Sequence, residues 1–133
     1  ELATNANTFA VQNGGKSPTF STDGGTYCLS SIVTYHWNGD PGNGATPGTI
    51  GLLFNGRLVG AGGGAPWPAV GSSGQNTNGA AVNWTATTGL QIIVLNGSYQ
   101  VIDSDPATWS QNTASNGFGF FHIWVTTALK SSP

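Results

Sequence analysis

The chain has 133 residues, 38% hydrophobic and 11% aromatic, which is enough to bury one core and predicts a single domain over residues 1–133. Only 6% of residues are charged, the formal net charge is −2, and the cations are Lys16, Arg57 and Lys130. So few scattered cations argue against nucleic-acid binding, and no apolar run approaches the ~20 residues that a membrane helix needs.

Strand patterns dominate the chain and helical periodicity is nearly absent. There are 21 glycines and 7 prolines, and Gly/Pro/Asn/Asp clusters separate short runs rich in β-branched and aromatic residues. In chain order, the predicted strands are Phe9–Gln12, Thr19–Thr22, Tyr27–Trp37, Thr49–Asn55, Arg57–Gly60, Ala80–Thr85, Leu90–Leu95, Tyr99–Asp103 and Gly117–Thr126. The two ends of the chain are expected to be frayed tails. This pattern predicts an all-β fold, an antiparallel β-sandwich of the jelly-roll type.

Two dipeptides and one alternating strand refine this prediction. Asn55-Gly56 and Asn96-Gly97 are the pairs that type I′ hairpin turns prefer. In the last strand, Phe121, Ile123 and Val125 form one apolar face, and Phe118, Phe120, His122 and Trp124 form the other. Such a strand is either buried on both sides or exposes an aromatic strip on one side. We expect Trp84 and Trp124, which lie within strands, to belong to the core.

Two long segments are predicted to be loops, at residues 38–48 and 61–79. The second contains GGGAPWPA, in which Trp67 lies between Pro66 and Pro68 after a glycine run. Proline lacks a backbone donor and glycine disfavours regular elements, so Trp67 is predicted to lie on a loop. It either fills the end of the sandwich or points outward toward a ligand.

Groups for catalysis are scarce. Asp103 and Asp105 are the one close carboxylate pair, and their spacing allows the paired acids that glycoside hydrolysis needs. In DSDPATWS, however, Asp105 precedes Pro106 as a helix N-cap would, and Asp103 is placed to brace a turn. Bound Ca²⁺ is a third interpretation of this segment. No cofactor is expected to be required, and a structural Ca²⁺ at Asp103 and Asp105 stays open.

Aromatic and amide side chains are the remaining chemistry. Trp37, Trp67 and Trp109 occupy loop or strand-end positions, where binding groups concentrate. Indole faces can pack on the C–H faces of sugar rings, and amides both donate and accept hydrogen bonds with hydroxyls. We therefore predict a carbohydrate platform of tryptophans with polar contacts from His36, Asn38, Gln75 and Asn112. His36 is alternatively a strand histidine with one hydrogen bond, and each tryptophan alternatively plugs the sandwich.

The strings YHWNGDPGNGATPGTIGL, PW, GQ and VIDSDPATWSQN, from Tyr35 to Asn112, resemble a non-catalytic β-sandwich module of bacterial extracellular proteins. The resemblance is to cellulose- and β-glucan-binding modules found beside endoglucanases, of the type of carbohydrate-binding module family 81. It implies binding of cellulose chains, mixed-linkage β-glucan or xyloglucan, with Trp37, Trp67 and Trp109 as sugar-stacking candidates.

We therefore expect a secreted, monomeric module that binds β-glucan without cleaving it and holds an attached glycoside hydrolase on plant cell wall. No nucleic-acid or membrane partner is expected. Two alternatives stay open: a small glycoside hydrolase that uses Asp103 and Asp105, and a structural or adhesive extracellular domain. A large apolar patch with few amides around it would favour the adhesive domain.

Overall fold

The structure, a computed structural model, describes residues 2–6, 12–22, 27–36, 46–59, 66–73, 81–88, 93–94 and 97–127. In chain order the strands are β1 Ala3–Thr4, β2 Thr19–Ser21, β3 Tyr27–Tyr35, β4 Thr49–Phe54, β5 Arg57–Val59, β6 Trp67–Pro68, β7 Val70–Ser73, β8 Ala81–Thr87, β9 Ile93–Val94, β10 Ser98–Asp103 and β11 Phe121–Thr127. One 3₁₀ helix covers Thr113–Ser115. Among the described residues, no helix is long and apolar enough to cross a membrane.

The strands form two antiparallel sheets that do not close into a barrel, which confirms the predicted all-β sandwich. The six-stranded sheet has the order β1-β11-β3-β8-β7, with β9 pairing beside β8 on β3. The five-stranded sheet has the order β2-β10-β4-β5, with β6 also pairing with β4. Along the chain, β4–β6 all lie in the smaller sheet and β7–β9 all lie in the larger one, whereas the chain changes sheet between the other successive strands.

The core lies between the two sheets and follows the period of two that strands impose. Ile32 in β3, Ile123 in β11 and Trp84 in β8 face it from the larger sheet, and each is fully buried. Ile50 and Leu52 in β4 and Val101 in β10 face it from the smaller sheet. Burying each such side chain contributes about 1.5–3 kcal/mol to the free energy of folding. Burial of these apolar side chains is therefore the main contribution that holds the two sheets together.

Phe20 ties the two layers together at one edge. Its ring stacks on Tyr99 of its own sheet with centroids 5.4 Å apart, and on Phe121 of the opposite sheet at 5.9 Å. Aromatic pairs at these separations add about 0.5–1.5 kcal/mol beyond the area that they bury.

The first hairpin turn is confirmed and the second is not. Asn55 and Gly56 have φ of 51° and 77°, as a type I′ turn requires, and they join the paired strands β4 and β5. Gly97 instead lies between β9, which pairs in the larger sheet, and β10, which pairs in the smaller one. Asn96 lies outside the described residues, but β9 and β10 on either side of this dipeptide belong to different sheets, so these two strands do not pair as a hairpin.

Two predicted irregular regions contain strands, and one predicted strand is described only at its last residue. Ala3 and Thr4 form β1, which pairs with β11, although this end of the chain was expected to be frayed. The expected 61–79 loop contains β6 and β7. In the predicted first strand, residues 9–11 lie outside the described residues, and Gln12 forms an isolated bridge with Gln111.

Candidate functional site

Trp67 lies in the core, which corrects its prediction as an exposed sugar platform. It is 4% exposed, and β6 pairs it with Ile50 of β4. Pro68 also fits this short strand, because a strand of two residues at the end of a ladder needs few backbone donors. Trp67 therefore acts as the plug that the sequence left as an alternative.

Trp109 is also part of the core, fully buried, and the platform prediction for it is likewise wrong. Its indole Nε1 donates to the carbonyl oxygen of Phe120 at 2.9 Å. Gly119 packs so closely on the ring that a Cβ there would lie 2.1 Å from an indole carbon. Because Trp109 is fully buried, a sugar ring cannot reach either face of its indole.

His36 is the centre of a buried polar network and does not contact solvent. Its Nε2 donates to Asp103 Oδ2 at 2.7 Å, and both side chains are 0% exposed. Its Nδ1 lies 2.7 Å from the hydroxyl of Thr108, and its ring stacks on Trp84 with centroids 3.7 Å apart. The prediction that His36 contacts a sugar is therefore wrong, because the protein satisfies both ring nitrogens.

The carboxylates of Asp103 and Asp105 are occupied by the protein itself. Asp103 Oδ2 also accepts from the hydroxyl of Thr34 at 2.7 Å, and Oδ1 accepts from the backbone N–H of Asp105 at 2.8 Å. Asp105 Oδ2 accepts from the hydroxyl of Thr108 at 2.9 Å. This arrangement is the predicted turn brace. The following residues form hydrogen-bonded turns and not a helix, as Thr108 N–H donates to Asp105 O and Trp109 N–H to Pro106 O.

Thr108, His36 and Asp103 form a hydroxyl–imidazole–carboxylate series that the sequence did not predict. Such a series can activate a nucleophile when the hydroxyl is open to a substrate. Here the hydroxyl of Thr108 is shared with Asp105, and His36 is fully buried against Trp84. The described geometry fits a role in fixing the β10 end against β3.

A metal site is not apparent in the parts of the chain that the structure describes. Within them, no group of three or more His, Cys, Asp or Glu side chains is arranged to hold an ion. Asp103 uses both carboxylate oxygens, and Asp105 uses Oδ2, for the hydrogen bonds given above, which leaves few oxygens here to coordinate Ca²⁺.

Asn112 caps the 3₁₀ helix, which corrects its prediction as a sugar ligand. It is 3% exposed, and its side chain accepts from the backbone N–H of Ser115 at 2.9 Å. The hydroxyl of Ser115 in turn accepts from the backbone N–H of Asn112 at 3.1 Å, which completes a reciprocal capping box. The remaining candidates, Trp37, Asn38 and Gln75, lie outside the described residues.

Trp124 is exposed, although it was expected in the core. It is 41% exposed and lies on the solvent side of β11, because its neighbours Phe121 and Ile123 fill the core side. His122 lies on the same side two residues away, and the two rings are nearly parallel, with centroids 6.0 Å apart and an interplanar angle of 15°. Of the predicted strip of four aromatic residues, Trp124 is exposed and His122 is half-buried, whereas Phe120 is buried.

Polar side chains surround these two rings on the outer face of the six-stranded sheet. The register places Val33, Thr85 and Val70 in the row of His122, and Ser31 and Thr87 in the row of Trp124. A third row holds Tyr35, Asn83 and Ser72. Rows two residues apart are about 6.6–6.8 Å apart along a strand. We call this set of residues, with Trp124 and His122, the outer face.

A β-bulge next to Trp124 shapes this face. Trp124 pairs with Ser31 and Val125 with Leu29, so Ser30 is an extra residue in β3, and its hydroxyl donates to Trp124 O at 2.8 Å. Bulges bend a strand and increase its twist, which re-aims the neighbouring side chain. The bulge thus helps to set the direction of Trp124.

The outer face is almost neutral. Its named residues are aromatic, imidazole, aliphatic, hydroxyl and amide side chains, and none of them is Asp, Glu, Lys or Arg. Burial raises the pKa of the Tyr35 hydroxyl above its usual value of 10.0, so Tyr35 stays protonated as a donor. The face therefore suits a neutral ligand that has both flat apolar surfaces and hydroxyls.

Sequence reasoning pointed to this strip without choosing it. The alternation in GFGFFHIWV left open which side of β11 is covered, and only the pairing of the sheets settles that. Comparison of the chain with protein-family models, with curated proteins and with solved structures finds no match.

Proposed function

We propose that this protein binds β-glucan polysaccharide without cleaving it, and that the ligand lies on the outer face around Trp124 and His122. The observation that carries the proposal is the pair of nearly parallel rings, 6.0 Å apart, on the solvent side of a hydroxyl-rich sheet. A pyranose ring packs its C–H groups on an aromatic face and directs its hydroxyls sideways, where Ser, Thr and Asn groups can donate and accept.

The substrate class follows from chemistry and from the resemblance to β-glucan-binding modules. In a β-linked glucan the apolar faces of the rings can contact a flat protein surface, and the outer face is a sheet surface. Cellulose chains, mixed-linkage β-glucan and xyloglucan are all candidates. In this proposal the module is extracellular, needs no cofactor, and holds an attached glycoside hydrolase on plant cell wall.

The non-catalytic part of the proposal is supported by the state of the carboxylates. Asp103 is sealed in the interior with His36, and Asp105 is bonded to Thr108. A glycosidase would need two carboxyl groups that reach opposite sides of one glycosidic bond. Release of reducing sugar by the isolated protein would contradict this part.

An adhesive function is the second candidate, because Val70 on the same face is 72% exposed. Apolar side chains on an open sheet face can bind another protein. The hydroxyls of Ser31, Thr85 and Thr87 in the rows of Val70 and Trp124 favour a sugar ligand, since a protein-binding centre is usually depleted in serine.

Affinity electrophoresis in gels that contain soluble β-glucan or xyloglucan tests the proposal. We expect the wild type to be retarded, and Trp124→Ala to lose retardation. By analogy with stacking of bases on aromatic rings, one lost contact costs about 1–3 kcal/mol, or a roughly 5- to 150-fold weaker affinity.

Phe118→Ala is the matched control, because Phe118 is aromatic and 37% exposed but lies away from the outer face. It should migrate like the wild type. Wild-type migration that no glycan slows would reject glycan binding. Retardation that survives Trp124→Ala would reject only the location of the site.

A further inference from the structure

A groove opens between the edges of the two sheets, beside β1, the strand that pairs with β11. Its volume is about 530 Å³, within the range of ligand sites. One wall is β2 with Thr19, the other is β1 with Leu2, and the floor is formed by Phe20 and Phe121. Asn116 and Phe118 lie at one end. We call this the edge groove.

The β2 strand has an open side that faces away from β10. Val101 N–H donates to Pro18 O, and Thr22 N–H donates to Gly97 O, so residues 18, 20 and 22 are the ones whose backbone groups point to β10. In an antiparallel ladder the residues between them point the other way. The N–H and C=O groups of Thr19 and Ser21 therefore point outward, and β2 is the last strand of its sheet in the described part of the chain.

A row of outward backbone donors and acceptors is a template for another strand. None of the three residues of β2 is charged, and Thr19 and Ser21, which flank Phe20, are exposed. A strand added here would direct every second side chain toward Phe20 and Phe121 in the edge groove.

Charge at one end of the groove adds a preference. The Lys16 ammonium lies 5.0 Å from the centroid of the Phe118 ring, and within the described residues Lys16 forms no ion pair. A carboxylate on the ligand at this end would be complementary to Lys16.

We infer that the β2 edge binds an extended peptide segment, which adds as a strand, places alternate apolar side chains in the edge groove and presents an acidic residue to Lys16. This site is separate from the outer face and does not depend on glycan binding. It gives the module a second, protein-directed contact.

Selection of random ten-residue peptides displayed on phage, with the immobilised protein as target, provides the probe. We expect enriched sequences to alternate apolar and polar residues and to include Asp or Glu. In amide hydrogen exchange by NMR, the synthetic enriched peptide should slow exchange of the Thr19 and Ser21 amides at least about tenfold.

Ser21→Pro is the sharp variant, because it removes one outward N–H while the ladder to β10 uses residues 18, 20 and 22. Ser21→Val keeps the N–H and is its control. We expect Ser21→Pro to bind the peptide about tenfold more weakly than Ser21→Val, with both folded by circular dichroism. Lys16→Gln should weaken binding about two- to fivefold and remove the acidic preference.

Several results would overturn the inference. One is no enrichment over an empty surface, and another is equal binding by Ser21→Pro and Ser21→Val. A third is a Ser21 amide that is already protected in the free protein, or that becomes protected as protein concentration rises. The edge would then be covered by this chain or by a second copy of it.

Discussion

The buried polar side chains of this protein form a hydrogen-bonded network that links distant parts of the chain. The string VIDSDPATW supplies Asp103, Asp105 and Thr108, which with His36 from the end of β3 form one connected network. Burying these groups is tolerated because each finds a partner, whereas a lone buried charge would cost several kcal/mol. The long DSDPATWSQN string is thus explained by folding requirements: two acids for the network, Trp109 for the core and Asn112 for a cap.

Asp103→Ala should destabilise the protein by about 3–5 kcal/mol, because it leaves His36 and the Thr34 hydroxyl buried without their acceptor. Asp105→Ala is the control, since it removes one acceptor for Thr108 and should cost about 1 kcal/mol. Urea unfolding of both variants measures the difference. Equal stabilities would contradict the central place of Asp103 in the network.

Tyr35 should make stability depend on pH in the alkaline range. Since burial raises the pKa of its hydroxyl above 10.0, the folded protein holds this proton more tightly than the unfolded chain. Stability is then fully present below about pH 10 and falls as pH rises from there toward the folded pKa. Tyr35→Phe should flatten this part of the urea-midpoint profile relative to the wild type. Parallel profiles would show that Tyr35 contributes nothing.

Among the elements, the sequence predicts the strands that follow a local run of strand-forming residues, including the short β2 and β5, and misses β1, β6 and β7. β3, β4 and β10 follow clear runs of strand-forming residues, and the Asn55-Gly56 turn follows from local chemistry. β6 was missed because Trp67 and Pro68 become a strand only by pairing with Ile50 and Thr49 from a distant part of the chain. The strand propensity of a short segment does not predict its pairing with a distant segment.

The candidate site shows the same limit. The alternation of residues in the last strand placed His122 and Trp124 on one face. Which of the two faces of β11 is buried depends on how the two sheets pack, and the sequence of β11 alone does not determine that. In the structure β11 lies between β1 and β3 in the larger sheet. Trp67 and Trp109 looked like loop groups because glycine and proline surround them. In the folded chain those glycines, as at Gly119, make room for the indole.

The cap at Asn112 gives a prediction that separates folding from binding. Asn112→Ala should cost about 0.5–2 kcal/mol, because it removes the acceptor for Ser115 N–H in the capping box. Its retardation in β-glucan gels should match the wild type at a temperature where both are folded. If Asn112→Ala lost retardation without losing stability, the result would indicate that Asn112 contacts the glycan.

At the scale of the whole molecule, a nearly uncharged sandwich presents two different surfaces. The outer face of the larger sheet carries no Asp, Glu, Lys or Arg side chain and is aromatic at Trp124, whereas the edge of the sandwich at β1 and β2 presents outward backbone groups of β2. With three Lys or Arg residues against five Asp or Glu residues, long-range electrostatic steering contributes little to either contact. Recognition therefore depends on shape, stacking and hydrogen bonds.

Removal of divalent metal should leave the fold unchanged. Both oxygens of Asp103 and Oδ2 of Asp105 accept hydrogen bonds from the protein, so we expect the same unfolding temperature, within about 1 °C, with and without a chelator. A lower unfolding temperature in chelator that added Ca²⁺ restores would contradict this and return the segment to a calcium site.

NMR of the five tryptophan indole N–H signals tests most directly whether the glycan binds at Trp124. During titration with a soluble cello-oligosaccharide, the account predicts that the Trp124 signal shifts with the outer-face amides of Ser31 and Thr85. The signals of Trp67 and Trp109 should stay in place, because both rings are buried. Shifts that centre on other tryptophans while Trp124 is unmoved would contradict the account.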